Sequence, residues 1–158
     1  MSVGVTPFLW FHYNLEEALA FYASVFGDLG AELRRVSTAP DAPVFSATFT
    51  LAGQRLVGLN GGPMFTFNEA VSLVVACDTQ AELDRHWERL SDGGAPGRCG
   101  WLKDRFGLSW QVVPRALDAL LYTGDAEARS RVMSAMLGMH KFDLAALEAA
   151  ARGAPSGR

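Results

Sequence analysis

Short apolar runs alternate with amphipathic stretches along the chain. Val5–Phe11 is apolar and aromatic and reads as a strand, with Pro7, which lacks an N–H, near its start or on an edge. Asn14 and Glu17 then form a relaxed capping box. Leu15, Ala18, Leu19, Tyr22 and Phe26 recur at helical spacing, which predicts a helix over 14–27 with Gly27 at its C-cap. Glu32–Val36 and Val44–Leu51 read as strands on either side of a Pro- and Asp-containing loop, Ser37–Pro43. Ala52-Gly53 reads as a tight turn into a further strand, Gln54–Asn60, and Gly61-Gly62-Pro63 ends the stretch.

The pattern then restarts. Val71–Cys77 is an apolar strand, Thr79-x-x-Glu82 is a capping box, and Leu83, His86, Trp87 and Leu90 mark one face of a helix over 79–91. Gly93-Gly94 ends that helix. Short strands are expected at Gly97–Cys99, Trp101–Asp104 and Leu108–Val113, with Phe106-Gly107 as a turn. Phe8 and Leu73, Asn14 and Thr79, Glu17 and Glu82, Tyr22 and Trp87 all match at an offset of 65, which points to an internal duplication. Beyond Pro114, Ala116–Leu121 makes one or two helical turns, Asp125 caps a helix to Leu137, and Asp143 caps Leu144–Ala151. The expected architecture is α+β: two tandem βαβββ modules, 5–60 and 71–113, a helical extension, 115–151, and a frayed tail, 153–158, in one domain spanning 1–158.

Composition narrows the function. With 49% hydrophobic and 20% charged residues, 158 residues build a core without a metal or disulfide staple. The net charge is −3 and Arg34-Arg35 is the single adjacent basic pair, so nucleic acid is not an expected partner. The apolar runs fall far short of the ~20 residues of a membrane span, and no charged-then-apolar leader opens the chain. Two cysteines, Cys77 and Cys99, lack metal-binding spacing and suit a reduced, cytoplasmic setting.

Four segments carry a family resemblance: Phe67–Gln80 (FNEAVSLVVACDTQ), Cys99–Pro114 (CGWLKDRFGLSWQVVP), Phe8–His12 (FLWFH) and Glu17–Phe26 (EALAFYASVF). Together they resemble the PhnB-like branch of the vicinal oxygen chelate superfamily, the glyoxalase and bleomycin-resistance proteins, often labelled demethylubiquinone methyltransferase-like. The resemblance runs over most of Pro7–Ala150. It implies that the modules curl into an open, barrel-like sheet around a cavity, and that two copies pair. It does not select a reaction, because the superfamily hosts metal-dependent isomerases, dioxygenases, thiol transferases and non-catalytic drug-binding proteins.

The resemblance also implies metal ligands on the first and last strand of each module. The capping-box register puts Pro7, Ser72, Val57 and Gln111 there, and only Gln111 offers a usable oxygen, so no metal and no cofactor are expected. Strand alternation from Ser72 carries Val74, Ala76 and, by the repeat, Leu9 and Phe11 toward the cavity, and turns Trp10 and Trp110 toward the helices. Gln111 brings Ser109 and Val113, the fourth strand brings Arg55, Val57 and Leu59, and Phe67, Glu69 and Trp101 lie near the mouth. This is an apolar pocket with few polar groups, suited to a small apolar or phenolic molecule. In a filled core, Ser72 and Gln111 bond to each other or to water instead. His86 is expected to pair with the Glu82 carboxylate, and Lys103 and Asp104 to form a solvated pair. Gly61-Gly62-Pro63 makes a poor cradle for a sulfonium methyl donor, since proline removes a backbone donor. The expected activity is metal-independent binding of a small molecule. The alternatives are an enzyme acting on a carbonyl or phenolic substrate, or an assembly or regulatory protein. Met133, Met136, Leu137 and Met139 add apolar surface to the extension and predict a homodimer.

Overall fold

The computed structural model describes residues 3–37, 39 and 41–153. The chain folds as two compact units, Met1–Phe67 and Asn68–Arg158. The first contains β1 (Phe8–Phe11), α1 (Leu15–Phe26), β2 (Glu32–Arg35), β3 (Val44–Leu51) and β4 (Gln54–Asn60). The second contains β5 (Ser72–Cys77), α2 (Gln80–Ser91), β6 (Ala95–Pro96), β7 (Trp101–Lys103) and β8 (Ser109–Pro114), followed by α3 (Leu117–Tyr122), α4 (Ala126–Leu137) and α5 (Leu144–Arg152). Each unit holds one open four-stranded sheet, and the orders β1-β4-β3-β2 and β5-β8-β7-β6 are the same topology twice. The first and last strands of each set run parallel and the other pairs antiparallel. The two βαβββ modules and the helical extension are thus as the sequence pattern predicts.

One face of each sheet carries its helix. In the first unit Leu15, Ala18, Leu19, Tyr22 and Val25 of α1 are buried with Leu9, Phe11, Ala47, Phe49 and Leu56 of the sheet. In the second, Leu83, Trp87 and Leu90 of α2 are buried with Leu102, Trp110 and Val112. Each such large apolar side chain withdrawn from water contributes roughly 1.5–3 kcal/mol before entropy is counted, so these two layers hold the units together.

Three local expectations change. The strand expected at Gly97–Cys99 forms instead at Ala95–Pro96, because Cys99 (φ 54°) and Gly100 (φ 78°) take left-handed conformations that end pairing. Asn14 makes no side-chain cap; the Leu15 N–H donates to Asn60 Oδ1 at 2.9 Å, and Asn60 Nδ2 donates to Val44 O. The Thr79 box forms, although Glu82 reaches back to the Asp78 N–H, one residue earlier than expected. Apart from Gly153, which caps α5 at φ 72°, the expected frayed tail lies outside the described residues.

The extension belongs to the second unit and is tied to it by directional bonds. Cys99 and Gly100 N–H donate to Met139 O and His140 O, His140 Nδ1 donates to Gly97 O, and Gln80 bonds both Phe142 O and the Leu144 N–H. Phe142 is buried beside Gly100, where a Cβ would lie 2.6 Å from its ring and 2.7 Å from Val112 O. Glycine there serves both the turn and the close approach.

Candidate functional site

Side-chain orientation decides what each open sheet face presents. In the second unit the pairs Trp101↔Gln111, Lys103↔Ser109, Val74↔Gln111 and Ser72↔Ser109 put Trp101, Lys103, Ser109, Gln111, Ser72 and Val74 on one face. Trp110 lies on the other, buried against α2, as expected. Ser72 and Gln111 sit on neighbouring parallel strands, and Gln111 Nε2 donates to Ser72 Oγ at 2.9 Å. Of the two arrangements open to the sequence, direct bonding between them is the one observed.

A cleft of about 300 Å³ opens on this face and is lined by Glu69, Ala95, Pro96, Gly97, Trp101, Leu102, Lys103 and Ser109. Three residues expected in the pocket, Glu69, Trp101 and Ser109, meet there; Ser72 and Gln111 lie on the same sheet face outside its lining. Lys103 Nζ pairs with Glu69 Oε1 at 2.6 Å, with Lys103 half-buried and Glu69 mostly exposed. The ammonium's hydrogen bond holds the Glu69 carboxyl below the usual range. Such an exposed pair contributes little to stability, being screened by solvent, and is easily exchanged. Ser109 is fully buried, and its hydroxyl donates to Asn68 O at 3.4 Å.

Asp104 overturns its expectation. It is 3% exposed, and its neighbour Lys103 pairs with Glu69 instead. Its Oδ1 accepts from the Phe106 and Leu108 N–H groups and its Oδ2 from the Trp110 indole at 2.8 Å, so it pins the β7–β8 turn around Gly107 (φ 84°). The signal was present in Asp-x-x-Gly, since Asp readily bonds backbone N–H groups two residues on.

The first unit corrects the face assignment. Phe8↔Val57 and Trp10↔Leu59 share the open face with Arg55, whereas Leu9↔Gly58 and Phe11 face α1. Leu9 and Phe11 are 5% and 1% exposed and are core residues of that unit. Trp10 is on the open face rather than against the helix. The cause is Tyr13, at φ 63°: three residues join β1 to α1, but only two join β5 to α2. A one-residue shift moves every side chain of a strand to the opposite face. Phe65 and Phe67 meet Trp10 and Phe11 edge-on, with ring centroids 5.0 and 5.3 Å apart. The Gly61-Gly62 pair makes room for aromatic rings: a Cβ at Gly61 would enter the Trp10 ring, and one at Gly62 (φ 84°) would lie 2.6 Å from the Tyr13 hydroxyl. Trp10 Nε1 donates to Gly62 O. Arg55 lines a smaller recess of about 100 Å³ with Glu32, Thr48 and Thr50.

The residues do not fit a resident divalent metal. Among the described residues, no three His, Cys, Asp or Glu side chains converge. In the second unit, Ser72 and Gln111 satisfy each other. In the first, the corresponding open-face residues are Phe8, Trp10, Val57 and Leu59, none of which carries a hard anionic oxygen or an imidazole. His86 Nδ1 donates to the backbone carbonyl of Glu82 at 2.8 Å, not to its carboxylate as expected. Burial raises the nearby Cys77 thiol, which keeps it protonated and unreactive. Cys77 and Cys99 are both free, and Cys99 Sγ donates to Met136 O.

A family model described as 3-demethylubiquinone-9 3-methyltransferase matches residues 3–113. The match ends before α3, so the helical extension, which the sequence resemblance had included, lies outside it. A PhnB protein from Bacillus cereus, described as a 3-demethylubiquinone-9 3-methyltransferase, is 33% identical with a TM-score of 0.59, covering 70% of this chain and 99% of its own. Protein PA1353 from Pseudomonas aeruginosa shares the fold at 22% identity with a TM-score of 0.59, covering 72% and 97% of the two chains. No curated protein matches the sequence. The chain belongs to the PhnB-like, 3-demethylubiquinone-9 3-methyltransferase family.

Proposed function

We propose that the protein binds a small, largely apolar molecule on the open face of its second sheet, without a resident metal, in the cytoplasm. The observation that carries this reading is the cleft of about 300 Å³, where Trp101 and Pro96 supply apolar surface and Lys103 and Glu69 supply the polar groups. That mixture, at the lower end of ligand-site volumes, suits a ligand held by burial and oriented by few contacts. Gln111 and Ser72, already bonded to each other, are available to re-pair with a carbonyl or hydroxyl on the same face.

Methyl transfer, the activity the family description names, finds little support in the residues. Among the described residues both sheets mix parallel and antiparallel pairs, and neither is a doubly wound parallel sheet with a Gly-rich turn that could hold a sulfonium methyl donor. An enzyme on a carbonyl or phenolic substrate is the second reading, favoured by the Lys103–Glu69 pair at the cleft. The proposal includes self-association through the extension, where Met133 and Leu137 are exposed.

Native mass spectrometry with elemental analysis of protein purified without chelator tests these points together. The expected result is a species of twice the 17.1 kDa chain mass without stoichiometric zinc, iron or manganese. A metal ion held one per chain would overturn the metal-free reading, and a 17.1 kDa species at micromolar concentration would overturn the dimer.

A further inference from the structure

We propose that the cleft of the second unit selects aromatic carboxylates, with Lys103 binding the ligand's carboxylate in exchange for that of Glu69. This rests on the reading of that cleft as a small-molecule site and names the chemical class it takes.

The two members of the ion pair are held unequally. Lys103 stands on β7, flanked on its sheet face by Trp101 and Ser109, and is half-buried. Glu69 stands on the segment before β5, is 63% exposed, and makes its contact from outside the sheet. The cation is therefore fixed by the strand, and the carboxylate is the partner that can leave. A ligand carboxylate that takes its place preserves the charge-assisted bond to the ammonium while Glu69 returns to water, so the exchange costs little. The gain comes from burying the ring and from an ion pair better shielded from water than the exposed one to Glu69. Ala95, Pro96 and the Trp101 indole form an apolar wall within reach of Lys103, and the cleft's volume accommodates one or two fused rings. That wall is anchored, because His140 Nδ1 donates to Gly97 O at 2.6 Å and the Gly97 N–H donates to Trp101 O at 2.7 Å. A cationic ligand meets the ammonium as a like charge. A neutral ring leaves the ion pair in place and gains only burial.

Calorimetric titration with 1-naphthoate and its neutral counterpart 1-naphthalenemethanol tests this in the full-length protein. The naphthoate is expected to bind about tenfold more tightly than the alcohol, because its carboxylate, held against the apolar wall, is better shielded from water than the exposed one of Glu69 that it replaces. Lys103→Met should erase that difference, and Lys103→Arg should retain it. Glu69→Gln should tighten naphthoate binding about threefold or more by removing the competing carboxylate. Equal affinities for the two probes in the parent protein would overturn the carboxylate selectivity and leave the cleft reading standing. Failure of both probes to bind would overturn both. Thermal melts of each variant confirm that it folds, and the Lys103→Arg result separates loss of charge from loss of structure.

Discussion

The two modules share strand order, helix position and a capped helix start, yet they present different surfaces. In the second, the open face carries Trp101, Lys103, Ser109 and the bonded pair Ser72–Gln111 beside a cleft of about 300 Å³. In the first, the equivalent face carries Phe8, Trp10, Val57 and Leu59, with Arg55 at a recess of about 100 Å³. The helices match at an offset of 65, but the first strands do not, because Tyr13 adds a residue between β1 and α1. A repeat register established on a helix therefore does not carry through a loop to the neighbouring strand. The hydrogen-bonded register, Phe8↔Val57 against Val74↔Gln111, is what decides the face.

The sharpest way to break the comparison is at the hairpins. The β3–β4 hairpin closes through two residues, Ala52 and Gly53, at φ 45° and 90°. The β7–β8 connection is longer and depends on the buried Asp104, whose carboxylate accepts from two backbone N–H groups and the Trp110 indole. Asp104→Ala strands those donors in a buried site and should cost about 3 kcal/mol or more, measured by urea unfolding. Asp104→Asn keeps one acceptor oxygen and should cost less. An Asp104→Ala loss below 1 kcal/mol would show that the turn holds itself, as the first module's does.

The helix starts differ in the same way. Thr79 caps α2 from its own chain position, while α1 is capped from Asn60, 45 residues away, at the end of β4. Asn60 also donates to Val44 O, so it joins helix to sheet. Asn60→Ala should destabilise by about 2 kcal/mol, since two partly buried partners lose their bonds. Thr79→Ala should cost about 1 kcal/mol, an ordinary cap loss. Equal losses at the two sites, measured by chemical denaturation, would mean that the tertiary cap adds nothing to a local one.

What the sequence revealed follows from this division between local and non-local causes. Helix periodicity, the Thr79 box, the strands Val44–Leu51 and Gln54–Asn60 and the capped α4 and α5 are encoded within a few residues, and all are observed. The role of Asn60 is not, because nothing near it in sequence indicates the Leu15 N–H it satisfies. The helix offset alone points Leu9 and Phe11 into a cavity, but the connection is one residue longer in the first module and inverts the whole strand. Local sequence makes Asp104 half of a surface pair with Lys103, whereas the turn brings the Trp110 indole onto it. Glu69, Trp101 and Ser109 are gathered at one cleft because β5 and β7 both pair with β8, a relation that residue types suggest and register establishes.

The smallest test concerns the hairpin of the first module alone. Its two central residues both have positive φ, the arrangement of a type I′ turn, which suits the twist of the paired strands. Gly53 adopts it without steric cost. Ala52, at φ 45°, carries a Cβ into a region L-residues enter at a cost of about 1 kcal/mol. Replacing Ala52 by glycine removes that strain but frees the unfolded chain, which returns part of the gain. The residue is exposed and no buried surface is lost, so the net expectation is a stabilisation of about 0.5 kcal/mol. The corresponding replacement at Cys99, also at positive φ, should bring no such gain, because its Sγ donates to Met136 O and would be lost with the side chain. A matched pair of melting curves separates the two: a rise for Ala52→Gly with none for Cys99→Gly places the relievable strain in the first module's turn. A fall for Ala52→Gly would show that backbone entropy outweighs the left-handed strain there.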